Sequence, residues 1–325
     1  MIKTPLSTVI GGAFWTPGAT IIGGQQSFSQ LIKKLFANGE RGFWYDPYDL
    51  GVMYQDLAGT TAVNATGQTL GLVLDKSKGQ VLGPEVLTNS NFESGLSGVN
   101  IFDGNGSQST LTLNTVNPIS GTQDLKLTVV TSGSSRPGLS FTRNDGGGVI
   151  GGLYELAFDF KVVSGTVSLS HIYDGINAVG APKPMLGTSG RYITRYIQLK
   201  ADNFAIYFGS GTGVIQLDNV SLKRVQGNHA YQRTSAARPI LQDAPRRIDF
   251  DAVDDKLITN LPAQLTGCTV VRSVPGVGVQ LLTNQTIPAT YEDNKDHCGL
   301  IVINRALTPS ETSAIAAEFN KRAGV

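Results

Sequence analysis

Cysteine is scarce in this sequence: only Cys268 and Cys298 occur among 325 residues. Two cysteines cannot form a disulfide framework, and they do not supply the three or four ligands of a tetrahedral metal site. We expect two half-buried thiols in strands of a soluble protein that is made in a reducing compartment. A disulfide between them would require that their strands be neighbours.

An excess of charge of one sign is also missing. The 26 Lys and Arg residues nearly cancel the 25 Asp and Glu residues, so the formal net charge is +1. No basic run provides an electrostatic footprint for nucleic acid or for an anionic membrane. The tyrosines and tryptophans do not alternate with Lys and Arg as they do in a groove that follows a single strand. The sequence therefore predicts no nucleic-acid partner.

Long hydrophobic runs are absent as well. Residues 1–24 have apolar side chains broken by Gly and Pro, so they lack the apolar core of about 7 to 15 residues found in a signal peptide. Nowhere do about 18 apolar residues follow one another, which predicts no membrane-spanning helix. An apolar segment without periodicity cannot bury itself alone, so we interpret residues 1–24 as an arm that docks on other proteins.

Two segments carry helix signals. Residues 25–38 place five apolar side chains on one helical stripe after a capping Ser27, and residues 308–323 begin with a capping box of Thr308 and Glu311. Because both helices are short and amphipathic, we expect each to pack on a sheet. The stripe of the first helix consists of Phe28, Leu31, Ile32, Leu35 and Phe36.

The sequence between the helices is typical of strands. Segments such as YELAFDFKV (154–162) alternate apolar and polar residues, and 39 glycines favour tight turns. This alternation indicates antiparallel strands with one buried face. No alternation of strands with helices occurs, which argues against a Rossmann or barrel enzyme.

The middle of the chain has the character of an insertion. Residues 72–79 and 227–241 would form one continuous stretch if residues 80–226 were removed. A domain can be inserted into a loop only if its own termini lie close together. A β-sandwich whose first and last strands pair meets that condition.

Several ordered motifs resemble a known family. GFWYDPYDL (42–50), NHAYQRTSAARPIL (228–241), RRIDFDAVDDKLIT (246–259) and the tail from residue 266 resemble a concanavalin-like or laminin-G-like β-sandwich. That module is common in structural proteins of tailed phages and prophages. The resemblance implies a virion component that usually assembles as a symmetric oligomer.

The insertion resembles carbohydrate-binding jelly rolls. NSNFESGLSG (89–98) is similar to their opening and LDNVSLKRV (217–225) to their closing strand. The resemblance implies a structural calcium ion held by Glu93 and Asp218, and no other cofactor. Such openings usually continue to a tryptophan, but the insertion contains none, so tyrosines remain as the aromatic candidates. Those predicted to bind glycan are Tyr173, Tyr196 and Tyr207.

The strongest catalytic candidate is the pair Asp249 and Asp251. Residues two apart in a strand point to one face, and two carboxylates about 5–5.5 Å apart would suit a retaining glycosidase. Sandwich glycosidases, however, use alternating glutamates with aromatic residues along a cleft. Asp254 and Asp255 are better interpreted as a turn that binds its own backbone. We therefore predict no catalytic residues here.

A second chemical candidate is the sequence Asp296-His297-Cys298. Adjacent residues of a strand point to opposite faces, so His297 cannot serve as the base for Cys298. One Cys and one His also supply too few ligands for a metal. The pattern predicts a capped turn followed by a buried strand.

GFWYDPYDL itself could belong to a sugar site or to the fold. Phe43 and Tyr45 are predicted to face one side of a strand and Trp44 the other, and Pro47 would end that strand. A sugar site would need an exposed Trp44. We interpret the motif as the opening of the fold.

These observations together predict an all-β protein: a laminin-G-like β-sandwich with an inserted jelly-roll β-sandwich, a short N-terminal helix and a C-terminal helix. The predicted division is an anchoring arm and helix over residues 1–38, a discontinuous sandwich over 39–79 and 227–325, and a carbohydrate-binding-module-like jelly roll over 80–226.

The function predicted from this organisation is that of a non-enzymatic structural component of a tailed-phage virion, made in the host cytoplasm. It would be a tail fibre or spike, a collar or a capsid-attached protein. We expect it to contact other virion proteins through its arm, to form a homo-oligomer, and to bind host-surface polysaccharide through the jelly roll. The alternatives are a tail-associated glycan depolymerase and a purely structural decoration protein with no ligand.

Overall fold

The computed structural model describes most of the chain from residue 27 onward. The described residues are 27–102, 108–130, 137–174, 176, 178–180 (backbone only), 187–202, 204–209 and 212–325. The predicted arm, residues 1–24, lies outside them.

The described residues form two α-helices and 22 strands. In chain order these are α1 (Phe28–Leu35), β1 (Gly42–Tyr45), β2 (Met53–Tyr54), β3 (Leu72–Val73), β4 (Leu82–Glu85), β5 (Val99–Phe102), β6 (Thr110–Asn114), β7 (Asp124–Val129), β8 (Gly138–Phe141), β9 (Leu153–Gly165), β10 (Ser168–Tyr173), β11 (Ala178–Gly180), β12 (Ser189–Ile197), β13 (Phe204–Gly209), β14 (Gly213–Val225), β15 (Ala230–Tyr231), β16 (Ile240–Gln242), β17 (Arg247–Asp249), β18 (Leu257–Asn260), β19 (Leu265–Val274), β20 (Gly278–Ile287), β21 (Thr290–Asp293), β22 (Leu300–Ile303) and α2 (Pro309–Ala323).

Both helices begin where their caps predict. Ser27 accepts a hydrogen bond from the Gln30 amide, and Thr308 accepts one from the Glu311 amide, so each helix has a capping box. Helix α2 ends at Gly324 in the left-handed conformation. Neither described helix is long and apolar enough to cross a membrane.

A first sandwich is built from the two ends of the chain. Its four-stranded sheet has the order β1-β22-β19-β20, its five-stranded sheet has the order β2-β3-β15-β18-β21, and β16 and β17 pair beside them. Alternate residues of the four-stranded sheet face the second sheet and the helices. The residues that face the helices are Trp44, Val271, Ile301 and Ile303. The helices therefore form a third layer.

A second sandwich is built from the middle of the chain. Its five-stranded sheet has the order β11-β10-β13-β8-β5, and its six-stranded sheet has the order β12-β9-β14-β7-β6, with β4 also paired to β14. Because β4 and β14 are its first and last strands, their pairing at Leu82↔Val225 brings the two ends of this sandwich together.

The two sandwiches meet at a packed junction. Leu153 and Ile197, from the six-stranded sheet, are buried in the core of the first sandwich. The predicted boundaries at residues 80 and 226 stay a prediction. The predicted fold class is confirmed, because antiparallel sheets dominate the described chain and two helices accompany them.

Strand β1 differs from its prediction in one respect. Phe43 and Tyr45 do face the sandwich core and Trp44 the helices, but both faces of the strand are buried. A strand with one buried face would leave the Trp44 side exposed, but here the helices cover that side. The two cysteines are free thiols, and both are fully buried rather than half-buried.

Candidate functional site

A row of rings crosses the outer face of the five-stranded sheet in the second sandwich. Strand register places Phe102 opposite Gly138, Gly138 opposite Tyr207, and Tyr207 opposite His171. The residues that alternate with this row point into the core, among them Leu139, Ile206 and Ile172. The row therefore faces away from the core, and we call Phe102, Tyr207 and His171 the ring row.

The rings of this row are in contact with one another. The Tyr207 and His171 rings stack with centroids 4.3 Å apart and planes 15° apart. Phe102 meets Tyr207 edge to face at 6.1 Å and is 56% exposed. Such contacts stabilise the rings relative to one another. They leave a continuous aromatic surface across four strands.

Gly138 allows the Tyr207 ring to lie close to the backbone of β8. A Cβ atom added to Gly138 would lie 2.7 Å from Cδ1 and Cε1 of Tyr207. The Tyr207 ring therefore lies flat over the backbone of β8, which no larger residue at position 138 would allow. No local pattern indicates this role, because the two residues are far apart in the chain and meet only through strand pairing.

Polar groups border the ring row. A second row on the same face aligns Tyr173 with Ala205, Ala205 with Ser140, and Ser140 with Asn100. Burial raises the pKa of Tyr207, and the nearby Tyr173 and Asp202 add to that effect, so its hydroxyl stays protonated at neutral pH. An apolar surface with a few fixed polar groups is the general pattern of a small-molecule site.

The three predicted glycan-binding tyrosines do not lie together. Tyr173 and Tyr207 share the outer face, whereas Tyr196 is 1% exposed. Tyr196 stacks between Tyr154 and Phe204, with centroids 6.0 and 5.9 Å from its own. Its burial leaves Tyr196 no surface for a ligand. The exposed face gains instead two residues that sequence analysis missed, Phe102 and His171.

A buried polar network holds the core around Tyr196. The Arg143 guanidinium forms a bidentate ion pair with Asp145, at 2.7 and 2.8 Å, and lies 4.5 Å from the centroid of the Tyr154 ring. Its third nitrogen donates to Gln198 at 3.1 Å and to the Tyr196 hydroxyl at 3.4 Å. These contacts hold Tyr196 and Tyr154 in place inside the second sandwich.

Glu93 and Asp218 contact the same loop, residues 119–122. Asp218 is buried and accepts hydrogen bonds from the Ser120 hydroxyl at 2.6 Å and the Asn219 amide at 2.7 Å. Glu93 is exposed and accepts from the amide and hydroxyl of Thr122. The loop thus contacts both acids, which lie at opposite ends of the second sandwich in the sequence.

The electrostatics of the two acids differ. Burial raises the pKa of Asp218, and the charge of Asp124 adds to the rise. A cation beside Asp218 would oppose both effects, because it would stabilise the ionised carboxylate. The Thr122 hydrogen bonds lower the pKa of Glu93. Calcium takes six to eight oxygen ligands, which two carboxylates do not supply without backbone and hydroxyl oxygens. The calcium site stays a prediction.

The paired acids Asp249 and Asp251 have separate structural roles. Asp249 binds the Arg247 guanidinium at 2.7 Å. Asp251 accepts hydrogen bonds from the amides of residues 253, 254 and 255, and Asp255 accepts the Asp251 amide at 3.1 Å. A turn is therefore present, but the carboxylate that binds most of its amides is Asp251 rather than the predicted Asp254 and Asp255. Asp251, Asp254 and Asp255 form an acidic cluster at the surface whose oxygens lie within 4.8 Å of one another. Nothing in these contacts prepares a proton donor or a nucleophile.

His297 belongs to a buried hydrogen-bond network. Its Nε2 lies 2.9 Å from Asp293, whose other oxygen binds Arg272 at 2.9 Å. Asp296 accepts the Phe250 amide at 2.9 Å, so it binds a segment 46 positions away and does not cap its own turn. Burial raises the pKa of the Cys298 thiol, which keeps it protonated. The contacts of His297, Asp293 and Arg272 therefore support the fold, and Cys298 is not an activated nucleophile.

The acids of GFWYDPYDL also serve the fold. Asp46 is buried and binds Lys76 at 2.8 Å and Arg322 at 2.6 Å. Lys76 lies 4.4 Å above the centroid of the Trp44 ring. Asp46 thereby connects β1 to helix α2. Because Trp44 is buried beneath these contacts, it offers no surface to a sugar.

Comparisons with known proteins find solved structures that are similar to part of this chain. No protein-family model matches the sequence, and no curated protein matches it. The arabinose-bound α-L-arabinofuranosidase MgGH51 is 16% identical, with a TM-score of 0.36; the similarity covers 46% of this chain and 27% of that one. The CBM22-1 xylan-binding domain from Paenibacillus barcinonensis Xyn10C is 15% identical, with a TM-score of 0.32; it covers 42% of this chain and 93% of that domain.

A third similar structure is the enzymatically active domain of tailspike protein 4 from bacteriophage CBA120. It is 17% identical, with a TM-score of 0.31, and the similarity covers 43% of this chain and 21% of that one. This chain therefore spans about a quarter of the arabinofuranosidase and about a fifth of the tailspike structure. These likenesses by themselves establish no function for the chain.

Proposed function

We propose that this protein is a non-enzymatic glycan-binding component of a tailed-phage virion, and that the ring row is its binding surface. The observation that carries the binding proposal is the contact of Phe102, Tyr207 and His171 on an outward face. A sugar ring presents flat apolar C–H faces edged by hydroxyl groups. An outward-facing, partly exposed aromatic surface bordered by Tyr173 and Asn100 matches both features.

The virion part of the proposal rests on the sequence motifs. The arm, residues 1–24, would dock on other virion proteins. Homo-oligomer formation is supported by β20, which lies at the edge of the four-stranded sheet with Leu281 and Leu282 exposed. No charged residue occurs between residues 273 and 291. Uncharged edge strands of this length readily pair with another chain.

A structural calcium ion at Glu93 and Asp218 is part of the proposal. It would fix the loop at residues 119–122 against β14. Titration of the full-length chain with calcium, followed by calorimetry, tests this part directly. We expect saturable binding that the double change Glu93→Gln and Asp218→Asn abolishes, whereas heat indistinguishable from dilution would contradict it.

The glycan proposal is tested by binding of the full-length protein to extracted host polysaccharide. We expect Tyr207→Ala to weaken saturable binding about tenfold, which corresponds to about 1.4 kcal/mol and lies in the range for a stacked aromatic contact. The matched control is Val163→Ala, which truncates an exposed side chain on the opposite sheet of the same sandwich. This control should bind as the unmodified protein does.

The alternatives predict different outcomes. A decoration protein would show no saturable binding to any host polysaccharide. A depolymerase would release reducing sugar from the polysaccharide, and Asp249→Asn or Asp251→Asn would stop the release. Binding that Tyr207→Ala leaves unchanged would place any glycan site away from the ring row.

A further inference from the structure

A small cavity lies where the chain passes between the two sandwiches. Its volume is about 150 Å³, and it is bordered by the end of β14, the start of β1 and the loop between β18 and β19. Three cationic side chains line it: Arg41, Lys78 and Arg224. Two buried leucines, Leu261 and Leu265, form an apolar wall.

The three cations have no ion pair with a described carboxylate. Lys78 donates to the backbone oxygen of Glu40 at 2.9 Å, and Arg224 donates weakly to the backbone oxygen of Gly227 at 3.4 Å. The Nε–H group of Arg224 is buried, and it has no hydrogen-bond acceptor among the described residues. A buried donor without an acceptor costs free energy, so this guanidinium is only partly satisfied by the described residues.

Nearby carboxylates form no ion pair with these cations. Asp75 lies against Gly227, and its oxygens accept hydrogen bonds from the amides of Trp44, Ser77 and Asn228 and from the Ser77 hydroxyl. The Glu40 carboxylate is directed instead to the Asn38 amide, at 2.9 Å, and to Arg305. Among the described residues, the three cations that line the cavity therefore lack a paired carboxylate, although the chain as a whole is nearly neutral.

We propose that this cavity binds a small organic anion through a carboxylate or phosphate group. Guanidinium groups donate in a planar fork that matches both oxyanions, and an ammonium adds a point charge. The leucine wall would contact the carbon skeleton of the ligand. Because Arg41 and Lys78 precede the second sandwich and Arg224 ends it, the bound anion connects the two sandwiches. This proposal is independent of glycan binding at the ring row.

Calorimetric titration of the full-length protein tests the proposal, with inorganic phosphate and D-glucuronate as probes and D-glucose as the neutral control. We expect saturable binding of at least one anion, weakening as salt is added because the contacts are ionic. Glucose should give no binding at this cavity. Arg41→Gln and Arg224→Gln should each weaken anion binding about tenfold or more, in the range of one charge-assisted hydrogen bond.

Two further variants serve as controls for the position of the site. Lys34→Gln removes an exposed cation of helix α1 that lies outside the cavity, and it should leave binding unchanged. Tyr207→Ala should also leave anion binding unchanged, so failure of the ring-row proposal would not be confused with failure here. Because Arg41 is exposed, its substitution tests the site even if Arg224→Gln disturbs folding.

The outcomes assign the ligand or remove the site. Binding of phosphate alone would identify a phosphoryl ligand, and binding of glucuronate alone an acidic saccharide; either supports the proposal. Absence of binding by both anions would overturn it. Binding that survives both Arg41→Gln and Arg224→Gln without loss of affinity would also overturn it, because the anion would then lie elsewhere.

Discussion

The change Asp46→Asn should destabilise the first sandwich by about 3 kcal/mol, because removal of one partner from a buried ion pair typically costs about 3–5 kcal/mol. The Asp46 carboxylate is 4% exposed and binds Lys76 and Arg322 at 2.8 and 2.6 Å. We expect the lower end of that range, because Asp49 still binds Lys76 and Glu318 still binds Arg322.

Urea unfolding followed by tryptophan fluorescence measures this loss locally. Trp15→Phe, made in every variant, leaves Trp44 as the fluorophore of this sequence. Trp44 is buried between the four-stranded sheet and the helices, directly beneath Lys76, so its emission reports on this layer. The control is Asp49→Asn, which removes a 42% exposed carboxylate from the same lysine. An exposed ion pair is worth about 0–1 kcal/mol, so the control should change little.

The pH dependence of the difference provides a second check. Burial acts to raise the pKa of Asp46, but the Arg322 and Lys76 charges outweigh it, so the pKa lies below its usual value. A carboxyl group with a depressed folded pKa stabilises the protein above its unfolded pKa of about 3.9. That stabilisation is lost as the pH falls through the folded pKa. The difference between the unmodified protein and Asp46→Asn should therefore shrink in acid.

Three results would refute this reasoning. The first is a loss of unfolding free energy below about 1 kcal/mol for Asp46→Asn, which is the range of an exposed ion pair. The second is a loss equal to that caused by Asp49→Asn. The third is a stability difference between the unmodified protein and Asp46→Asn that is the same at neutral pH and in acid. Each would mean that the Asp46 contacts do not hold helix α2 on the sheet.

Other predictions test separate features. Gly138→Ala should displace the Tyr207 ring and weaken polysaccharide binding as much as Tyr207→Ala does, although it removes no aromatic side chain; unchanged binding would contradict the flat placement of that ring. Thr308→Ala should cost about 1 kcal/mol in urea unfolding, because it removes the cap of α2; a loss indistinguishable from zero would contradict the cap. Burial lowers the pKa of His229 to about 4, so between about pH 6.5 and 4 the unfolded chain binds a proton at this residue and the folded chain does not. The unfolding free energy should therefore decrease by up to about 3 kcal/mol as the pH falls through that range. The variant His229→Gln should remove this pH dependence of stability.

Local sequence patterns predicted both helices and several of the strands. The cap of helix α2 and its buried residues Ile315 and Phe319 are where the sequence places them. Capping depends on residues three positions apart, and strand alternation depends on residues two apart, so both signals are contained in short segments. The turn at Asp251 is local in the same way.

The composition of the proposed binding surfaces could be predicted only in part in this manner. Tyr196 and Tyr207 both lie in strands of alternating pattern, but one faces the core and the other faces out. Their difference depends on the sheet and face to which each strand contributes, which residue spacing alone does not reveal. Phe102 and His171 were overlooked because their partners lie in distant parts of the chain.

The sequence by itself determined the all-β class and the two capped helices, since these follow from periodicity and from residues a few positions apart. Only the tertiary structure decided that Trp44 is covered, that Gly138 seats Tyr207, and that Arg41 and Arg224 line one cavity. The physical reason is that each of these depends on contacts between distant segments, which form only when strand register and layer packing are fixed together.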